Sequence, residues 1–144
     1  MKKMSLFSIV LVLVVAVGFA YGDDGRIPQQ VKDELALKGV TANYYIWFPA
    51  VPEISENSWN NILILSNFYN YSVDIYCYFT TYSQEQTMKQ YTLQYYQKKL
   101  ITLSKSGFGD NLYDIFCASN SFFGAETLLL EGGKIAAAWP PIYQ

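Results

Sequence analysis

Between residues 72 and 81 apolar and polar side chains alternate strictly. Val73, Ile75, Cys77 and Phe79 share one face; Asp74, Tyr76, Tyr78 and Thr80 share the other. A period of two belongs to a pleated strand with one face in a core. From Asn43 onward, shorter apolar or alternating runs are separated by Gly, Pro, Asn and Ser, and they predict strands over 43–48, 59–66, 72–81, 89–96, 99–104, 112–119, 123–130 and 135–139. Pro49 and Pro52 stop the first, and Asn67-Phe68-Tyr69-Asn70 makes a turn after the second. The run Ile62-Leu63-Ile64-Leu65 is apolar on both faces. Gly132-Gly133 between the last two runs is a hairpin signal, because the favoured two-residue turns require positive φ. Short strands at regular spacing with turn chemistry between them predict an all-β fold, an antiparallel β-sandwich of about seven or eight strands. The exception precedes them: Ile27, Val31 and Leu35 recur every four residues, Pro28 suits a first helical turn and Gly39 a stop, which predicts a short helix over 28–38.

The N-terminus follows a different pattern. Lys2 and Lys3 precede an almost unbroken apolar run from Leu6 to Phe19, shorter than the roughly 20 residues that a bilayer-spanning helix needs. Ala20-Tyr21-Gly22 then places small residues at the two positions a signal peptidase reads, ahead of Asp23-Asp24. The expectation is a secretory signal peptide over 1–22, an N-terminal segment with the short helix over 23–42 and a β-sandwich domain over 43–144. The alternative is an uncleaved N-terminal anchor. No Cys follows the apolar run, so a lipid anchor is not indicated.

A cut after residue 22 of 144 leaves 122 residues, enough for one domain with a continuous core and too few for two. Loss of Lys2 and Lys3 takes the formal charge from −2 to −4, with the remaining basic residues scattered. That balance excludes a nucleic-acid partner, which calls for clustered Lys and Arg, and a polybasic membrane surface. No membrane association is expected once the leader is removed, and the destination is the periplasm or the extracellular space. The 13 Tyr, 9 Phe and 3 Trp favour half-buried pleated surfaces.

The chain contains no His. The usual general base near neutral pH, the Ser-His and Cys-His nucleophile pairs and most zinc sites are therefore unavailable. The two Cys, Cys77 and Cys117, fall on different predicted strands among apolar neighbours, and export favours a disulfide between them; buried free thiols are the alternative. Candidate catalytic acids are Glu53 with Glu56, Asp110 with Asp114, and Glu126, but acids in loops are usually solvated and spacing in sequence fixes no distance in space. Asp110-Asn111 after Gly107-Phe108-Gly109 lacks the alternating oxygens of a calcium loop, and Gly107-x-Gly109 lacks the third glycine of a dinucleotide site. Ser104-Lys105-Ser106 reads as a solvated strand end. No metal, cofactor or catalytic residue is expected.

Binding remains, and the tyrosines are its candidates. Tyr76 and Tyr78 occupy the face of their strand opposite the expected core, and Tyr95 and Tyr96 lie between Gln94 and Gln97. Tyrosine joins apolar area to a hydroxyl at small entropic cost, which suits recognition surfaces; the competing role is cross-strand packing within a sheet.

The order Trp59, Ile62-Leu63-Ile64-Leu65-Ser66-Asn67, Val73-Asp74-Ile75-Tyr76-Cys77-Tyr78, Tyr91-Thr92-Leu93 and Leu100-Ile101 resembles small bacterial β-sandwich domains of the sensory rhodopsin transducer type, over about residues 43–139. The resemblance implies a non-enzymatic, oligomeric binding module of the cytoplasm. The leader departs from that pattern, so a rhodopsin partner is not carried over. The expected function is an exported, non-enzymatic binding or assembly module whose partner is a protein or a polysaccharide, with self-association also open. The alternatives are a carbohydrate-binding accessory domain and a small His-free hydrolase using a carboxylate pair.

Overall fold

The computed structural model describes residues 18–22, 24–53, 59–103, 107–131 and 134–139. In chain order these form β1 (Gly18–Phe19), β2 (Tyr21–Gly22), α1 (Gln29–Ala36), β3 (Tyr44–Glu53), β4 (Trp59–Ser66), β5 (Val73–Thr81), β6 (Gln86–Leu93), β7 (Lys98–Thr102), β8 (Asn111–Ser119), β9 (Gly124–Glu131) and β10 (Lys134–Trp139). The strands make two antiparallel sheets. The first sheet runs β1-β9-β4-β7, with β10 also paired to β9; the second runs β2-β3-β8-β5-β6. The all-β reading with one short helix holds.

Alternation along the strands sends one face of each sheet into a shared buried cluster. Ile46, Phe48, Val51, Val73, Ile75, Cys77, Phe79, Ile115 and Cys117 come from the second sheet; Leu63, Leu65, Ile101 and Ala125 come from the first. Cys77 and Cys117 are register partners on the neighbouring strands β5 and β8, and they are bridged across a sequence separation of 40 with Cα atoms 4.0 Å apart. Both cysteines are fully buried, as their apolar neighbours lead one to expect.

A second buried cluster lies on the outer face of the second sheet. Helix α1 presents Val31 and Leu35 to that face, joined by Ile27 and Ala42, and together they cover Tyr45, Tyr76, Tyr78 and Ala118. The helix stops where the sequence indicates: Gly39 has φ 71°, and the amides of Gly39 and Val40 return to the carbonyls of Ala36 and Leu35 at 2.9 Å each. A left-handed residue at this point satisfies carbonyls that the helix end leaves open, and glycine takes that conformation without steric cost.

Several element boundaries differ from the sequence expectation, among them the start of β6 at Gln86 and not at Lys89. Pro49 and Pro52 do not end β3, which continues to Glu53 through a register shift between Phe48 and Val51. The shift puts Ala50 at φ 54°, and its amide donates to Asp114 Oδ1 at 2.8 Å instead of to a strand. β2 pairs only with Tyr44 and Tyr45, so the prolines fall on the open edge, where a missing N–H breaks no ladder. Strand β6 ends at Leu93, so Tyr95 and Tyr96 form the turn into β7 and not a strand end. β9 starts at Gly124 and not at Phe123; its pairing to β10 from Glu131–Lys134 agrees with a hairpin, whose Gly132-Gly133 step lies outside the described residues. Residues 18–22, expected at the end of the leader, are paired into both sheets: Gly18 and Phe19 against Ala125 and Gly124, Tyr21 and Gly22 against Tyr45 and Tyr44.

Candidate functional site

Tyr76 and Tyr78 do lie on the face opposite the main core, as their alternation requires, but that face is covered. Tyr76 is 3% exposed and Tyr78 1%. The cover is α1, whose apolar stripe must be buried somewhere and finds an aromatic sheet face within reach of its short connection to β3. Neither tyrosine is therefore an open platform. The Tyr78 hydroxyl is buried without a partner in hydrogen-bonding geometry; burial first, and then the Glu34 carboxylate, push its pKa up to about 12.

Helix α1 does not cover the whole face. Beyond it lies a groove of about 900 Å³. Its floor is built from outward positions of three adjacent strands: Tyr45 and Trp47 on β3, Leu112, Asp114 and Phe116 on β8, Tyr78 and Thr80 on β5. Around the floor stand Arg26, Pro28, Gln30 and Val31 on the helix side and Thr81, Tyr82, Gln84 and Gln86 at and beside the β5–β6 turn, and Gln30 Nε2 donates to Gln86 Oε1 at 3.4 Å between the two. Register aligns Trp47 with Phe116, and Phe116 with Tyr78, so an aromatic row crosses the floor from β3 to β5. Phe116 also stacks on Tyr45, with centroids 5.6 Å apart and planes 8° from parallel. Trp47 is 38% exposed, far more than Tyr45 or Tyr78, and Phe116 beside it is half-buried.

At the mouth, Arg26 Nε pairs with Asp24 Oδ2 at 3.1 Å, and the Tyr45 hydroxyl donates to Asp24 Oδ1 at 3.2 Å. Burial, followed by the bond to Asp24, raises the Tyr45 pKa. The rim supplies the Arg26 guanidinium, held by Asp24, and the amides of Gln30, Gln84 and Gln86, around a mainly aromatic floor that also carries Asp114 and Thr80. Sequence reasoning missed Trp47 and Phe116 as site residues. The signal was present: Tyr45 and Trp47 alternate with the core residues Ile46 and Phe48, and Asp114 and Phe116 with Ile115 and Cys117.

Tyr95 and Tyr96, 67% and 69% exposed, stand at the β6–β7 turn, away from the groove lining. Tyr96 has φ 52°, and its amide donates to the Tyr69 carbonyl at 3.0 Å. The turn is fastened by buried Asn67, whose Nδ2 donates to the carbonyls of Tyr71, Leu93 and Gln94 while its Oδ1 accepts from Tyr69 N. The four tyrosines singled out from sequence therefore divide into a buried pair and an exposed pair that the fold does not bring together.

The candidate acids disperse as well. Glu53 is fully buried, with Oε2 accepting from Asn61 N at 2.8 Å and Oε1 unpartnered. Burial raises its pKa against the opposing effect of the Asn61 amide, and the Asp110 charge adds to the rise. Asp114 sits on the groove floor with its Oδ1 accepting from Ala50 N, Glu126 is on β9 in the other sheet, and Glu56 lies outside the described residues. Glu53 thus senses Asp110, a member of the other predicted grouping. Among the described residues no three Cys, Asp or Glu side chains gather as a metal site.

No family model matches the chain, and no curated protein matches it. A solved structure, that of Thermotoga maritima 1070, is similar with a TM-score of 0.58 at 15% identity, covering 69% of this chain and 93% of that one. At that identity the likeness speaks for the fold alone.

Proposed function

We propose that the chain is an exported, non-enzymatic β-sandwich binding module whose ligand lies in the groove beside α1. The observation that carries this reading is the aromatic row ending in the exposed Trp47, set inside a concave surface with a polar rim. Concave, largely apolar sites with a few convergent polar groups are where small ligands bind. A flat ring flanked by amides, hydroxyls and a carboxylate matches a saccharide, whose apolar ring face stacks while its hydroxyls exchange hydrogen bonds. The disulfide suits an oxidising compartment. The shared core of the two sheets supports the sandwich architecture, and with it the kind of domain to which the sensory rhodopsin transducer resemblance pointed.

The test is isothermal titration calorimetry with a panel of oligosaccharides, repeated on Trp47→Ala and on a Tyr95→Ala/Tyr96→Ala double variant. The expected result is binding by the parent and the turn variant, with at least a tenfold loss in Trp47→Ala, as for an aromatic anchor. Parental affinity in Trp47→Ala would remove the groove from the binding site.

A second reading, self-assembly, is favoured by the outer face of the first sheet. Leu100 is 63% exposed there, and Ile64, its register partner, is only half-buried. Sedimentation that shows a dimer in the parent and a monomer in Leu100→Lys would support assembly through this face.

A further inference from the structure

We propose that export removes the leader between Gly18 and Phe19, and not after Gly22, so that residues 19–22 remain as a structural part of the mature domain. The proposal rests on the exported reading above. A signal peptidase requires small residues three before and one before the cut, and the sequence offers three such placements: Ala16-x-Gly18, Gly18-x-Ala20 and Ala20-x-Gly22. Sequence alone does not rank them; the fold does.

Residues 18–22 cross from one sheet to the other. Phe19 pairs with Gly124 in the first sheet, and Tyr21 and Gly22 pair with Tyr45 and Tyr44 in the second. Between them Ala20 is 6% exposed within the main core, and its amide donates to the Phe123 carbonyl at 2.8 Å. A cut after Gly22 would withdraw the Ala20 methyl from the core, leave the Phe123 carbonyl without that donor and open the edge of β3 at Tyr44–Tyr45, whose outer face bears on the groove. A cut after Ala20 would strip the first-sheet anchor and place a charged amine beside the core. A cut after Gly18 sacrifices only the outermost pair, Gly18 with Ala125. It also leaves an apolar stretch from Leu6 to Val15, within the usual length for a leader. The step is ordinary peptide hydrolysis by an export peptidase. Water adds across the Gly18–Phe19 amide, the C–N bond breaks, and the products are a Gly18 carboxylate and a Phe19 ammonium.

The experiment expresses the full chain with its own leader in an exporting host and reads the N-terminus of the exported protein by intact mass. A start at Phe19 is expected. A start at Tyr21 or Asp23 would overturn this proposal while leaving export standing, and a start at Met1 would overturn both. Two variants sharpen the result. Ala16→Leu blocks only the proposed cut and should leave the Phe19 form undetectable. Gly22→Leu blocks only the cut after Gly22, so processing should match the parent, and the fold leaves an added Cβ there with nothing within 4 Å. Loss of processing in Gly22→Leu with normal processing in Ala16→Leu would refute the assignment.

Discussion

Reducing the Cys77–Cys117 bridge gives a worked test of what holds the second sheet together. The bridge joins β5 to β8, strands that are neighbours in the sheet but far apart along the chain, the cysteines being at a sequence separation of 40. In the unfolded chain the bridge closes a loop of that length, and the loop-entropy relation puts the resulting stabilisation at about 4 kcal/mol at 25 °C. For a domain of this size that corresponds to a fall of roughly 15 °C in melting temperature on reduction. Both cysteines are fully buried, so reductant reaches them only through unfolding; the protein should be reduced in denaturant and refolded with reductant present. Urea unfolding then compares the two forms without the void that Cys→Ala would create. Two results are expected together: a lower extrapolated stability and a steeper denaturant slope, because the unbridged unfolded chain is more expanded and exposes more surface. A loss below about 1 kcal/mol with an unchanged slope would refute the reasoning and show that strand pairing alone fixes this junction.

Two further predictions concern buried groups. Tyr76→Ala and Tyr78→Ala should each lose about 3–5 kcal/mol in urea melts, as truncations of large aromatics in a core do; a loss under about 1 kcal/mol in both would mean that α1 does not seal that face. Glu53→Gln should stabilise relative to the parent as pH rises. A raised carboxyl pKa in the fold contributes stability that is fully present below the ordinary value of 4.5 and is lost as pH climbs through the raised one, and glutamine does not titrate. Melting temperatures from pH 4 to pH 7 check this, and a constant difference between variant and parent across that range would contradict it.

Much of the architecture was legible because it depends on local periodicity. The period of two in 72–81 assigned Val73, Ile75, Cys77 and Phe79 to one face, and the fold keeps them in one core. Gly39 and the four-residue spacing of Ile27, Val31 and Leu35 marked a helix whose buried stripe is Val31 and Leu35, with Ile27 joining the same cluster from just ahead of the first turn. Alternation also placed Tyr76 and Tyr78 together, opposite the core. It could not say whether that face met water, because the covering helix is a separate element and its docking site is a long-range choice.

The prolines show the same division. A missing N–H at Pro49 and Pro52 reads locally as a strand end, but on an open edge beside a bulge it costs no ladder bond, and edge position exists only in the assembled sheet. Register is likewise a property of three strands at once: Trp47, Phe116 and Tyr78 are distant in sequence and become a row only when β3, β8 and β5 align. The residues at 18–22 are the sharpest case. In sequence their small side chains signal a cleavage site, whereas in the fold the same smallness lets Ala20 enter a closed core between two sheets. Local pattern thus determined which residues turn inward and where the helix stops; tertiary packing decided which outward faces are covered and which form a groove, since burial depends on neighbours that the local sequence does not contain.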